Sequence, residues 1–186
     1  MARAADTHDR ILRAAEDVVL RDGVAHLTLD NAASEAGLSK GGVLYHFPSR
    51  AALVSAMVKR LCESFDADLE RYGAGSGARG AFTLAYLEAS LAPGQPGEER
   101  QARLGSALFA GVASDPDLLA PLRERFTAWQ AALDADGIDK ELATVVRLAV
   151  DGMWFGDLFG FAPVEGKRLD ALHRELRRLV QHGAGE

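Results

Sequence analysis

The sequence has little cysteine and no long apolar run. Its single cysteine, Cys62, cannot form an internal disulfide bond, and no secretory apolar segment is present. We therefore expect a protein of the reducing cytoplasm. The most apolar stretch, residues 142–164, is interrupted by Arg147, Asp151 and Asp157, which favours a buried helix over a membrane span. Accordingly, no membrane interaction is predicted.

The sequence also lacks the motifs of common catalytic and metal sites. HExxH, paired CxxC, a Gly-rich phosphate loop and G-x-S-x-G are all absent. His173 and His182 are isolated, so we interpret them as surface residues rather than metal ligands. We predict no catalytic residue, no metal and no cofactor. A helical enzyme is retained only as an alternative.

Positive charge is scarce, and its distribution is uneven. The net charge is −6 over 186 residues, yet residues 1–60 hold eight Arg or Lys against seven Asp or Glu, which leaves −7 for the remainder. A chain of this kind does not coat nucleic acid indiscriminately. If it binds DNA, we expect modest, salt-sensitive affinity that depends on correct docking.

Residues 28–47, TLDNAASEAGLSKGGVLYHF, have the pattern of two short helices joined by a tight turn. Thr28 and Ser39 can each cap a helix N-terminus with a side-chain oxygen. Gly37 can adopt the left-handed conformation that ends the first helix, and Leu38 can pin the turn to a core. This arrangement presents the second helix outward, as in helix-turn-helix DNA readers.

This segment resembles the N-terminal region of the tetracycline-repressor (TetR) family of bacterial regulators, over roughly residues 8 to 60. The family pattern runs T-h-x-x-h-A-x-x-A-G-h-S-x-G-x-h-Y-x-H/Y-F-x-x-K/R-x-x-L, where h is apolar. The matching residues are Thr28, Leu29, Ala33, Ala36, Gly37, Leu38, Ser39, Gly41, Val43, His46, Phe47, Arg50 and Leu53. Two positions depart from the pattern: Leu44 replaces the usual Tyr, with Tyr45 following, and Ala32 replaces a larger aliphatic residue.

We expect the second helix to enter the major groove, with phosphate contacts setting register and base contacts setting sequence. Lys40 is the predicted cationic contact, while Val43 could meet a thymine methyl group and Tyr45 a base edge. Gly41 and Gly42 would let the backbone approach the DNA closely. The complete predicted set is Thr28, Ser39, Lys40, Gly41, Gly42, Val43, Tyr45, His46 and Arg50. For any single member, a solvated or core position is the alternative.

Helical spacing continues along the rest of the chain, and no alternating β pattern of useful length is present. Asp6 is predicted to cap the first helix after a frayed arm, and a long helix should run from Ser49 to about Tyr72. Glycine-rich residues 73–80 and Pro93–Gly97 indicate loops. Further helices are predicted over approximately 79–91, 98–113, 116–135, 139–161 and 166–182. We predict an all-α protein with a three-helix helix-turn-helix DNA-binding domain over 1–48 and a helical ligand-binding and dimerisation domain over 49–186.

Gly152, Gly156 and Gly160 recur every fourth residue and would share one helix face. A smooth face of this kind could admit a second helix, with the apolar seam completed by Leu169, Leu172, Leu176 and Leu179. We predict a four-helix homodimer interface containing Gly152, Gly156, Gly160, Leu172, Leu176 and Leu179. Close packing within one subunit is the alternative.

The resemblance implies a small-molecule effector, and pockets for such ligands are apolar with a few polar groups. The predicted effector residues are Tyr86, Phe109, Trp129, Trp154 and Phe155, with Asp151 and Asp157 as nearby acids. The resulting hypothesis is a dimeric repressor that binds a pseudo-palindromic operator and is released by an apolar or amphipathic ligand. An architectural DNA-binding protein without an effector is the second alternative.

Overall fold

The computed structural model describes residues 2–91, 98–112 and 116–185. These residues form α1 (Ala2–Asp22), α2 (Leu29–Ala36), α3 (Lys40–His46), α4 (Arg50–Arg71), α5 (Ala81–Leu91), α6 (Glu98–Val112), α7 (Ala120–Asp134), α8 (Lys140–Phe159) and α9 (Gly166–Gly185). Short 3-10 turns occur at Val24–His26, Ala74–Ser76 and Pro116–Leu119. No strand occurs within the described ranges. The predicted all-α fold is confirmed.

One predicted boundary is wrong, because α1 begins at Ala2 rather than after Asp6. The segment before Asp6 is rich in alanine, and alanine has the highest intrinsic helix propensity, so the helix continues past the expected cap. The loop predicted at 93–97 and the break predicted at Asp115 lie outside the described residues. Ser49 caps α4 as expected, since its Oγ accepts a hydrogen bond from the Ala52 amide at 3.0 Å.

The chain divides into two compact units, and the first is discontinuous. The head unit comprises Met1–Cys62 and Gln95–Glu124, whereas the body unit comprises Glu63–Gly94 and Arg125–Glu186. Helix α4 therefore begins in the head unit and ends in the body unit. The predicted domain boundary at residues 48 and 49 stays a prediction, because these compact units do not test where the functional domains divide.

The head unit has one core, to which α1, α2, α3, the first half of α4 and α6 contribute. Ile11, Leu27 and Leu53 have no exposed surface, and Leu104 and Leu108 of α6 are buried in the same cluster. Helix α1 packs against both α2 and α6. The later segment of the chain is thus part of the scaffold that holds the helix-turn-helix.

In the body unit, α5 packs against α8 and α9. The turn before α8 fixes the start of α5, because the Asp136 carboxylate accepts hydrogen bonds from the Phe82 and Thr83 amides and from the Thr83 hydroxyl. Gly80 has a positive φ of 73°, and a Cβ there would lie 3.3 Å from Ile138 and Val180 side-chain atoms. Glycine is therefore required at this crossing.

Candidate nucleic-acid interface and effector region

The turn between α2 and α3 is built by the predicted cap residues. Thr28 Oγ1 accepts from the Asn31 amide at 3.0 Å, and Ser39 Oγ accepts from the Gly42 amide at 3.2 Å. Gly37 is left-handed at φ 63° and ends α2. Both hydroxyls are exposed but already accept a hydrogen bond from the helix that they cap. They therefore cap the N-termini of α2 and α3.

The outward face of α3 carries Lys40, Gly41, Leu44 and Tyr45. Tyr45 is 83% exposed and Leu44 is 41% exposed, whereas Val43 and Phe47 point into the core. Because Val43 is 0% exposed, its side chain cannot contact a thymine methyl group in this structure, contrary to our expectation. The buried Val43 side chain packs α3 against the core of the head unit.

Lys40 and Arg50, the two predicted cationic contacts, have different surroundings. Lys40 Nζ lies 2.8 Å from Asp30 Oδ2 on α2, and both side chains are largely exposed. Arg50 is half-buried, and its guanidinium donates to the backbone carbonyls of Leu27 and Val24, each at 2.8 Å. Lys40 can thus exchange Asp30 for a phosphate, whereas Arg50 holds the turn that precedes α2.

His46 lies among other rings at the end of α3. The Tyr45 ring meets it edge-on at 5.1 Å, and the His8 ring of α1 lies 6.2 Å away. His8 also packs on Phe47 at 4.6 Å. Partial burial lowers the pKa of His8, and positive charge at His46 and Arg60 lowers it further. The predicted His46 contact is half-buried, so it is less accessible than Tyr45.

An ion-pair network that sequence reasoning missed joins three helices of the head unit. Arg60 of α4 pairs with Asp9 and with Glu16 of α1, the latter at 3.3 Å. Arg100 of α6 lies 2.7 Å from Asp17 and 3.7 Å from Glu16. Burial raises the pKa of Glu16, an effect that the Arg100 charge partly opposes. The sequence contained one signal for this network: Asp9 and Glu16 are seven residues apart and therefore share one face of α1.

The body unit contains an aromatic cluster of Phe65, Tyr86, Phe126 and Trp129. Phe65 meets Tyr86 and Trp129 edge-on at 5.3 and 5.0 Å, and Phe126 meets Trp129 at 5.2 Å. Asp66 accepts from the Trp129 indole at 2.8 Å and from Arg125 at 2.5 Å. These rings form an apolar region with a small number of polar groups.

A half-buried hydrogen-bond chain extends from this aromatic cluster. The Tyr86 hydroxyl donates to Asp151 at 2.8 Å, and Arg147 donates to Asp151 and to Gln130, each at 2.6 Å. Burial raises the pKa of both Tyr86 and Asp151. For Asp151 the hydrogen bond from Tyr86 and the charge of Arg147 act in the opposite direction. These hydrogen bonds therefore place one carboxylate and one guanidinium beside the aromatic cluster.

Four of the five predicted effector residues form two ring pairs within the body unit. Tyr86 and Trp129 lie together, with ring centroids 6.2 Å apart, while Trp154 packs against Phe155 at 5.2 Å. Phe109 belongs to the head unit. An open groove on the body unit is lined by Arg79, Asp139, Leu142, Leu179, His182 and Gly183. None of the five predicted residues lines this groove.

The three predicted interface glycines have three different environments. Gly152 has open space where a side chain would project, whereas a Cβ at Gly156 would lie 3.3 Å from the Phe161 carbonyl oxygen. Gly160 lies beyond α8 and caps it with φ 67°. The predicted glycine strip at a dimer interface stays a prediction, and within one chain Gly156 packs against the backbone that follows α8. In α9, Leu172 and Leu179 are half-buried and Leu176 is buried.

The exposed apolar residues of α8 form a stripe. Val145, Leu148, Phe155 and Phe159 are exposed, and with Gly152 they follow spacings of three and four residues. This spacing is that of a coiled-coil seam. We call these five residues the α8 stripe. The Phe155 and Phe159 rings are stacked, with their planes 5° apart.

Two family models match the chain. Residues 11–57 match "Bacterial regulatory proteins, tetR family", and residues 80–181 match "Tetracyclin repressor-like, C-terminal domain". The chain belongs to the TetR family. Helix-turn-helix and C-terminal body are thus both assigned to this family.

Curated relatives match the TetR head of this chain. HTH-type transcriptional regulator TtgR from Pseudomonas putida is 38% identical over 63 residues, which is 34% of this chain and 30% of TtgR. HTH-type transcriptional regulator SrpR, also from Pseudomonas putida, is 37% identical over 57 residues, which is 31% of this chain and 27% of SrpR. The matched part of this TetR chain thus spans about three tenths of each relative.

Solved structures resemble this TetR chain over nearly its whole length. A transcriptional regulator from Rhodococcus sp. Rha1 has a TM-score of 0.73 at 23% identity and covers 95% of this chain and 97% of its own. The multidrug binding protein EbrR, complexed with malachite green, has a TM-score of 0.69 at 24% identity, with 92% and 96% covered. At these identities the likeness shows the fold. No helix in the described part of the chain is long and apolar enough to cross a membrane.

Proposed function

We propose that this TetR-family regulator is a homodimeric repressor that binds a pseudo-palindromic operator and is released by a small apolar or amphipathic effector. The observation that carries the proposal is the face of α3, where Lys40, Leu44 and Tyr45 are exposed on a helix whose opposite side is buried. A helix presented in this way fits the major groove. Lys40 would contact phosphate and Tyr45 a base edge, while Gly41 would allow close approach.

The α8 stripe supports the homodimer. A second copy of the stripe would cover the exposed apolar side chains, and paired helices would relate two reading heads by a two-fold axis. Such symmetry requires half-sites about 34–36 Å apart or a multiple of that distance. The proposed interface retains Gly152 and adds Val145, Leu148, Phe155 and Phe159.

The aromatic cluster and the hydrogen-bond chain of the body unit support an effector site. A drug-sized pocket is largely apolar and uses a few polar groups to orient the ligand. Tyr86 and Trp129 supply rings, and Asp151 and Arg147 supply the polar groups. EbrR, of the same fold, is described as multidrug binding. Because α4 belongs to both units, a change in the body could reach the head through one helix.

The test has two stages. First, fragments of the source genome that the purified protein retains are sequenced, and affinity for the selected duplex is measured by fluorescence anisotropy. Second, the measurement is repeated with a panel of apolar and amphipathic compounds, malachite green among them. Loss of DNA binding on addition of a bound compound supports the repressor. Operator binding that no bound compound changes would favour the architectural alternative. We infer no catalytic activity and a cytoplasmic location.

A further inference from the structure

The exposed apolar surface of the head unit is concentrated on the reading helix. Among the described residues of this unit, the large apolar side chains that are exposed are Leu44 and Tyr45, both on α3. A tyrosine is amphipathic and tolerates water through its hydroxyl, but a leucine has no polar atom in its side chain. Single exposed leucines are common on protein surfaces, so the position of Leu44 decides its meaning.

Leu44 lies outside the core cluster of the head unit. The neighbouring Val43 and Phe47 are fully or almost fully buried in the core cluster, whereas Leu44 projects from the other side of α3. One turn earlier on the same face lie Lys40 and Gly41. Leu44 therefore lies beside the proposed phosphate contact, and Leu44→Ala removes no residue of the core cluster.

Gly41 leaves the approach to Leu44 open. Nothing lies within 4 Å of the position that a Cβ of Gly41 would occupy, and Gly41 is three residues before Leu44. On a helix, a side chain at that spacing would stand beside the leucine. Its absence allows a base edge to reach the leucine methyl groups without first meeting another side chain.

We propose that Leu44 is a specificity-determining residue that reads the C5-methyl group of a thymine in each operator half-site. In the major groove, thymine differs from cytosine by this methyl group and by an acceptor in place of a donor. An apolar side chain detects the methyl group and no other feature of the base edge. This assignment rests on the proposed DNA-binding function, and it replaces our initial expectation for Val43.

The experiment removes the methyl group from DNA and the side chain from the protein. The probe is the duplex that the full-length protein selects from a random library, and each thymine in turn is replaced by deoxyuridine, symmetrically in both half-sites. For wild type we expect one position at which the change weakens binding about fourfold per half-site, the value for one buried methyl-sized group. Other thymines should tolerate the change.

Protein variants assign the effect. Leu44→Ala should bind thymine and deoxyuridine duplexes equally, whereas Leu44→Met, which keeps an apolar side chain of similar volume, should preserve the discrimination. Circular dichroism and the thermal midpoint should match those of wild type, because Leu44 lies outside the core.

Two outcomes would overturn the assignment. One is tolerance of deoxyuridine at every position by wild type, and the other is undiminished discrimination by Leu44→Ala. Either result leaves DNA binding itself intact. Failure of the proposed function has a different signature, since the wild-type protein would then select no duplex from the library.

Discussion

At the scale of single residues, Lys40 shows how an exposed ion pair can matter for binding while contributing little to stability. The pair with Asp30 is worth roughly 0–1 kcal/mol, because both side chains are largely in water. DNA has a high density of negative charge, and a lysine that binds a phosphate displaces condensed counterions. Lysine binding to DNA is therefore favoured over the exposed pair with Asp30. Asp30 is therefore a weak competitor for the position that the phosphate would take.

Lys40→Ala should weaken binding to all duplexes to a similar extent, and it should lower the slope of log K against log salt by about 0.9 for each phosphate that the lysine no longer neutralises. Asp30→Asn should have the opposite effect on affinity, because Lys40 no longer has a carboxylate partner. Salt titrations of both variants, with exposed Lys59→Ala on α4 as the matched control, provide the measurement. An unchanged slope for Lys40→Ala would show that this residue does not neutralise a phosphate.

Glu16 is predicted to make the stability of the protein depend on pH. Burial raises its pKa in the folded state, so the folded chain holds this proton more tightly than the unfolded chain does. The resulting stabilisation is complete below the unfolded pKa of about 4.3 and is lost as pH rises through the folded pKa. The glutamine of Glu16→Gln cannot ionise. This variant should therefore become more stable relative to wild type as pH rises from the unfolded pKa through the folded pKa of Glu16.

Urea denaturation at several pH values between about 4 and 8 measures this difference. Glu141→Gln, which changes an exposed glutamate at the start of α8, is the matched control. A difference between wild type and Glu16→Gln that stays constant with pH would mean that the ion pairs with Arg60 and Arg100 offset the cost of burial.

At the scale of elements, the α8 stripe makes a testable statement about assembly. Phe155→Arg should place a charge in the proposed seam and produce monomers, because burying an unpaired charge is costly. Asp157→Arg adds the same residue to the same helix about 200° away and should leave the dimer intact. Sedimentation velocity distinguishes the two states. A dimeric Phe155→Arg would exclude the stripe from the interface.

Local signals made much of the helical layout predictable from the sequence. Thr28, Gly37 and Ser39 act through hydrogen bonds and backbone angles within three or four residues, so the caps of α2 and α3 could be read directly. The burial of Val43 could not be predicted in this way. Each residue turns a helix by about 100°, and the seven residues of α3 are too few to show which face is apolar. The surroundings of Gly156 could not be predicted either, because they include the Phe161 carbonyl oxygen, which lies beyond the end of α8.

Contacts between distant parts of the chain were beyond the reach of sequence patterns. Arg60 and Arg100 meet α1 side chains across 44 to 83 positions of the chain, and many charged residues could have formed such pairs. The aromatic cluster posed a similar difficulty. Aromatic residues indicated an apolar body, but only packing showed that Phe65 and Phe126 join Tyr86 and Trp129.

At the scale of the whole molecule, repression and release require two states that the effector binds with different affinity. Couplings of this kind are typically about 1–3 kcal/mol, which corresponds to roughly 5- to 150-fold in operator affinity. Equal affinity of an effector for both states would produce no release, however tightly the effector bound.

Trp154, in ring contact with Phe155, stays a predicted effector contact. Trp154→Ala is therefore expected to reduce effector coupling more than it reduces operator affinity, because Trp154 lies in the body unit and the reading helix is unchanged. The measurement is operator affinity of wild type and variant, with and without a compound from the screen that releases wild type. Equal coupling in the two proteins would exclude Trp154 from the switch. A parallel loss of operator affinity without ligand would instead indicate damage to the dimer.

The discontinuity of the head unit affects how the protein can be synthesised and recombined. Leu104, Leu108 and Leu118 cover part of the core that α1 to α4 begin, and each buried leucine is worth about 1.5–3 kcal/mol. A nascent chain that has emerged only to Cys62 therefore lacks part of its own core. Equally, a chimera joined after residue 48 or 62 would combine one regulator's reading helices with another regulator's α6. Exchange of operator specificity between relatives should succeed only when residues 98–124 are transferred with the head.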